Sequence, residues 1–181
     1  MAKSNNTLCL DKFYPERDLM ITDIAQQSDK IIIRMKSTSS SCKCPKCNHI
    51  TQKYHGTYTR KVQDLPILGK QVQLEICSHE YACLNDECEA VSIAETFDGF
   101  LNNYSRMTER CADFICTLAL ETSCEGCARV CRTLGIKTSG DTVIRLLLKR
   151  YESLPKPEVS DVIGVDDFAY KKRHTYAMSL T

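Results

Sequence analysis

This chain of 181 residues has no run of about 18 consecutive apolar residues, so no transmembrane helix is expected. Its start, Met1-Ala-Lys-Ser-Asn-Asn6, leads into no apolar segment, so no secretory signal is read and a cytoplasmic location is expected. Net charge is nearly absent as well. With 24 Lys and Arg against 23 Asp and Glu, the formal total is +1, and a partner of opposite charge has to be sought in local clusters. Cysteine, by contrast, is abundant. Twelve cysteines without a signal segment, some at C-x₂-C spacing, point to metal ligands and buried free thiols rather than to a disulfide scaffold. A composition of 43% hydrophobic and 26% charged residues suits a soluble chain built from several small domains.

Two short cysteine loops stand out, Cys44-Pro-Lys-Cys47 and Cys83-Leu-Asn-Asp-Glu-Cys88, on either side of a β-rich stretch. Loops of this kind converge to close a tetrahedral Cys₄ zinc site, so residues 41–92 read as a zinc ribbon with structural zinc on Cys44, Cys47, Cys83 and Cys88. A segment this short is expected to need the metal in order to fold. Cys42, Cys77, His49, His55 and His79 are close enough in sequence to be alternative ligands.

Around the ribbon the hydrophobic period changes twice. In residues 1–40, Leu19–Ile24 and Ile31–Lys36 flank a polar break and predict a β-hairpin extension. Inside the ribbon, Lys53–Arg60 and the alternating Val72, Leu74 and Ile76 predict two strands joined across Asp64-Leu-Pro-Ile-Leu-Gly69. From Met107 the period approaches four. Cys111, Phe114, Ile115 and Leu118 form one stripe, Cys124, Cys127, Ala128, Cys131 and Leu134 a second, and Val143, Leu146 and Leu147 a third. Three helices over 100–152 follow, with Gly135 closing the second and Ser139 capping the third. Helix, short turn with glycine, helix is the helix-turn-helix pattern. Cys124, Cys127 and Cys131 could be read as metal ligands, but their place on an apolar helical face favours core packing.

Between Arg129 and Arg150 six basic residues stand against the single acid Asp141. Such a local excess is what phosphate neutralisation requires, with Thr142, Arg145, Lys149 and Arg150 on the third helix and Lys137 in the turn as candidate DNA contacts. A solvated basic face is the competing reading. After a Pro-containing linker at 153–160, residues 161–181 predict a hairpin that carries Asp166 and Asp167. Two carboxylates beside Val165 and Phe168 are either a divalent-metal site or solvated strand-end acids.

The order of these pieces resembles the ISL-three class of bacterial insertion-sequence transposases. The resemblance runs over residues 40–181, through Cys44-Pro-Lys-Cys47, Asp64-Leu-Pro66, Cys83 to Cys88, Ser139-Gly-Asp-Thr142, Gly164-Val-Asp-Asp-Phe-Ala169 and Lys172-Arg-His-Thr-Tyr176. It implies an α+β chain: a zinc ribbon, a helix-turn-helix domain that binds the terminal inverted repeats of the element as double-stranded DNA, and the first hairpin of a ribonuclease-H-like DDE domain. Asp166 is the implied first catalytic acid, with Asp167 as fallback. The later acids of that triad have no counterpart before Thr181, so the chain is expected to be truncated and catalytically incomplete, with Mg²⁺ or Mn²⁺ acting only in a complete catalytic domain. No membrane partner is expected, and a homodimer on DNA is compatible with this reading. Two other classes compete with it: a transposase-derived DNA-binding regulator, and a zinc-dependent protein-interaction module without nucleic-acid binding.

Overall fold

A computed structural model describes residues 18–155, 165–171 and 175–180, the last two segments as backbone only. It is α+β, with a β-rich region before three helices. Strands β1 (Leu19–Gln26) and β2 (Lys30–Ser37) form the antiparallel hairpin expected from their apolar runs. Two-residue strands β3 (Cys42–Lys43) and β4 (Ile50–Thr51) pair around the first cysteine loop.

The next two strands are far longer than their apolar pattern indicates. β5 (Tyr54–Ile67) and β6 (Lys70–Ala82) reverse through Leu68-Gly69 alone, with Ile67 opposite Lys70. Both turn residues have positive φ, +50° and +74°, as a tight two-residue hairpin turn demands. The turn expected over residues 64–69 is therefore confined to its last two residues. Asp64 and Pro66 belong to β5 instead, and a register slip between Asp64 and Ile67 accommodates the proline, which β5 tolerates as the edge strand of its sheet.

The N-terminal hairpin and the ribbon hairpin share one sheet of order β1-β2-β6-β5, with β2 parallel to β6. Strand β7 (Ser92–Ala94) pairs with Glu80, Tyr81 and Ala82 on the edge of β6 that β2 leaves free beyond Cys77. Val72, Leu74 and Ile76 all face inward, joined by Ile33, Met35 and Val62 and covered by Phe97, Phe100 and Leu101. The opposite face is polar: Lys30 Nζ donates to Gln73 Oε1 at 2.6 Å and Arg34 Nε to Glu75 Oε2 at 3.1 Å. Period-two alternation is what produces these two unlike faces.

Each helix begins at a hydroxyl cap. Thr108 caps α1 (Glu109–Leu120), Ser123 caps α2 (Cys124–Thr133), and Ser139 Oγ accepts the Thr142 N–H of α3 (Gly140–Ser153) at 3.3 Å. Cys111, Ile115, Cys127, Cys131, Ile136 and Val143 make the helical core, with Leu146 and Leu147 packed against it. Phe114 and Leu134 remain more than a third exposed, at the margins of the stripes that contain them. Cys127 and Cys131 are fully buried, and desolvation pushes the Cys127 thiol up to about 11. These thiols behave as small apolar groups.

Gly135 has φ +87°, the left-handed cap that ends α2, and its backbone lies beside Gln71. A Cβ there would meet Gln71 N at an ordinary 3.5 Å, so the strain of Gly135→Ala is in the backbone alone. We expect a loss of about 1 kcal/mol in urea unfolding. An unchanged midpoint would contradict this role for Gly135.

The helices are fastened to β5 at two adjacent residues. Gln63 bonds residues 106–108 through its backbone and Lys137 through its amide, with Lys137 N donating to Gln63 Oε1 at 2.8 Å. Asp64, 1% exposed, accepts from Thr108 Oγ1 at 2.6 Å and from the Arg110 guanidinium through two nitrogens. Burial alone would raise this carboxyl's pKa, but the Arg110 and Thr108 donors outweigh it and hold Asp64 below the usual carboxylate range.

The chain divides into two compact units, Met1–Leu148 and Lys149–Thr181. That boundary lies inside α3, whose inward-facing side chains end at Leu147; residues 156–160 of the expected linker lie outside the described residues. In the second unit β8 (Val165–Lys171) and β9 (Thr175–Leu180) form an antiparallel hairpin. Among the described residues no helix is long and apolar enough to cross a membrane.

Candidate metal centre and basic helix

The first cysteine loop is shaped by its own backbone. Asn48 N donates to Cys44 O and Cys44 N to His49 O, both at 2.9 Å, and Asn48 takes φ +60° to close the knuckle. The second loop is turned by Asn85, whose carbonyl accepts the Cys88 N–H at 2.9 Å and whose side chain accepts the Glu87 N–H at 3.1 Å. Buried Thr51 bonds the Ala82 carbonyl at 2.8 Å and so holds the first loop against the end of β6, where the second begins.

The result brings Cys44, Cys47, Cys83 and Cys88 together, with ligand atoms all within 4.8 Å of one another. Cys44 and Cys88 sulfurs are 3.8 Å apart, and Cys47 and Cys83 sulfurs 3.7 Å. Four sulfurs about 2.3 Å from one zinc ion would sit about 3.8 Å apart along each tetrahedral edge. The donor set thus fits zinc in both chemistry and size.

The thiols are unevenly poised. The His49 N–H, together with its neighbours, lowers Cys47 to about 6 despite desolvation. The Asn85 N–H acts to lower Cys83, but desolvation and the neighbouring Cys47, Cys44 and Cys88 sulfurs together outweigh it and push Cys83 up to about 12. Four crowded thiolates cannot all be charged without a cation, which is the condition a bound dication would satisfy.

The alternative ligands point elsewhere. Cys42 Sγ lies near the carbonyls of Lys43 and Ala94, His79 Nδ1 is 3.2 Å from Ser39 O, and Cys77 lies half-buried along β6. Exposed His49 serves through its carbonyl, and His55 is exposed on β5. Beneath the cysteines, Tyr81 and Ile93 seal the site from the main core.

Of the candidate DNA contacts, Thr142, Arg145 and Lys149 fall three and four residues apart along one face of α3, away from Val143, Leu146 and Leu147. Arg145 and Lys149 are exposed, whereas Thr142 is half-buried with its hydroxyl 3.0 Å from the Ser139 cap. Arg150 follows Leu146 by one turn and is exposed near the end of α3. Lys137 is exposed in the connection between α2 and α3, its backbone fixed by Gln63. Asp166 and Asp167 occupy β8 opposite Ser179 and Met178. Sequence reasoning missed a second α3 feature, the exposed series Ile144, Leu148 and Tyr151, although its i, i+4, i+7 spacing was there to be read.

Comparison with known proteins agrees with this site. A family model described as the zinc-finger of transposase IS204/IS1001/IS1096/IS1165 matches residues 40–88, the segment that holds all four clustered cysteines. The chain is also similar to the transposase for insertion sequence element IS1001 of Bordetella parapertussis, at 27% identity over 150 residues. That alignment covers 80% of this chain and 34% of the relative, so the chain spans about a third of that protein's length. No solved structure matches it significantly. Together, the cysteine cluster and the zinc-ribbon match indicate a structural zinc, and the chain resembles the N-terminal part of an ISL-three-type insertion-sequence transposase.

Proposed function

We propose that the chain is the DNA-recognising N-terminal portion of an insertion-sequence transposase. Zinc on Cys44, Cys47, Cys83 and Cys88 organises the ribbon, and α2, its turn and α3 act as a helix-turn-helix that reads the terminal inverted repeats. The β8–β9 hairpin opens a ribonuclease-H-like catalytic domain, with Asp166, or failing it Asp167, as the first metal-binding acid. The observation that carries the DNA reading is the outer face of α3. Arg145 and Lys149 are exposed one turn apart there, while Val143 on the inner side is fully buried. A helix held by its inner face and basic on its outer face can enter a major groove without losing its own packing.

Within this reading Arg145 contacts base edges, with Thr142 beside it, and Lys137, Lys149 and Arg150 contact phosphates. Two substitutions separate the roles. Lys149→Ala should weaken binding to all duplexes alike and reduce the slope of log affinity against log salt by roughly one unit. Arg145→Ala should in addition narrow the preference between terminal-repeat and unrelated duplexes by roughly tenfold, the cost of one lost base contact. Small and equal effects of both in a gel-shift series would favour a merely solvated basic face.

A further inference from the structure

A cleft of about 460 Å³ opens between the polar outer face of the sheet and the connection from α2 to α3. Lys30 from β2, Lys61 from β5, Arg106 from the segment along β5, and Lys137 from the connection all line it, and Thr142 of α3 stands in its wall. Among the described residues, none that lines it is acidic. Glu75 of β6 is engaged by Arg34 at 3.1 Å and reaches Lys61 at 4.0 Å.

Several contacts hold these cations in place. Lys30 Nζ is fixed on Gln73 Oε1, and Gln63 binds Lys137 through both its backbone groups. Four cations gathered around one cleft, of which Lys61 alone has a carboxylate, that of Glu75, within 4.0 Å in the contacts described, repel one another and favour an anion between them. Lys30 pairs with Gln71 and Lys61 with Glu75 on the intervening β6, so by ordinary strand spacing and rise their backbones are about 16 Å apart. A single phosphate cannot bridge that width and also reach Arg106 and Lys137, whereas a run of phosphates can.

We propose that this cleft grips consecutive backbone phosphates of the same duplex that α3 reads. The sheet, and not only the helices, then belongs to the DNA-binding surface. This rests on the reading of α3 as a DNA-reading helix, since Thr142 places the start of that helix in the cleft wall. Because phosphates carry no sequence information, the cleft contributes affinity and register without base preference.

The test uses the whole zinc-loaded chain and a fluorescein-labelled duplex, with anisotropy titrations over a series of KCl concentrations. Lys30→Gln combined with Lys61→Gln should lower the salt slope by about two units, close to 0.9 for each lost phosphate contact, and leave the preference between duplexes unchanged. Should that pair prove poorly folded, Arg106→Gln, on an exposed loop residue, should lower the slope by about one unit. An unchanged slope in a variant with wild-type melting overturns the proposal, even if Arg145→Ala still alters preference. If the unsubstituted chain binds no duplex, or Arg145→Ala leaves preference intact, it is the reading of α3 that fails.

Discussion

Serine in place of any one of Cys44, Cys47, Cys83 or Cys88 should abolish stoichiometric zinc binding and open one end of the sheet, while the helices stay folded. Three remaining thiolates cannot close a tetrahedral structural site, and metal binding of this kind contributes folding free energy on the order of 10 kcal/mol in isolated zinc-finger peptides. In this chain the loss should be local. The metal-side cluster of Cys44, Tyr81 and Ile93 is separate from the core of Ile33, Val62, Leu74 and Ile76, and no cysteine ligand belongs to that core. Amide exchange should therefore rise in residues 42–51 and 83–94 and stay slow in Val72–Ile76 and in α1. Zinc content and exchange maps of the four variants check this. Full zinc occupancy in Cys83→Ser or Cys88→Ser would show that another side chain, Cys77 or His79, closes the site.

A comparable effect is expected at Asp64. Its carboxylate is buried, holds the Thr108 hydroxyl that caps α1, and pairs with Arg110. Asp64→Ala removes the acceptor of the buried Thr108 cap hydroxyl and of the half-exposed Arg110 guanidinium, at a cost of about 2 kcal/mol. The pH dependence has a definite sign. A carboxyl held below its ordinary value adds stability that is fully present above the unfolded pKa, about 4, and is lost as pH falls through the depressed folded value. Wild type and variant should thus differ most near neutrality and converge in strong acid. Urea midpoints at matched pH test this, since acid also releases zinc from both proteins alike. A constant difference down to strong acid would mean that Asp64 stabilises the fold by packing rather than by charge.

What the sequence made legible follows from which interactions are local. Helix limits came out of apolar spacing and of residues that act within one turn, as Ser139 does on Thr142 and Gly135 through its positive φ. The cysteine loops were legible because a C-x₂-C knuckle is closed by its own backbone. The strands β5 and β6 were legible as elements, but their length was not. β5 and β6 extend through polar and β-poor residues because pairing, not side-chain pattern, holds them, and the parallel pairing of β2 with β6 joins segments some forty residues apart without any local signal. Asp64-Leu-Pro66 illustrates the difference. Proline and a nearby glycine read as a turn, whereas tertiary contact from Thr108 and Arg110 makes Asp64 a strand residue with a structural task. The basic cleft escaped sequence reading for the same reason, since Lys30, Lys61, Arg106 and Lys137 come together only when the sheet and the helical connection meet.

The most direct test of the account is the salt dependence of duplex binding by the unsubstituted, zinc-loaded chain. With Lys30, Lys61, Arg106, Lys137, Lys149 and Arg150 on phosphates, affinity should fall roughly a thousandfold between about 50 and 200 mM KCl, with a log–log slope near −5. Absence of duplex binding at the lower salt, or binding that hardly changes across that range, would contradict a DNA-recognising role.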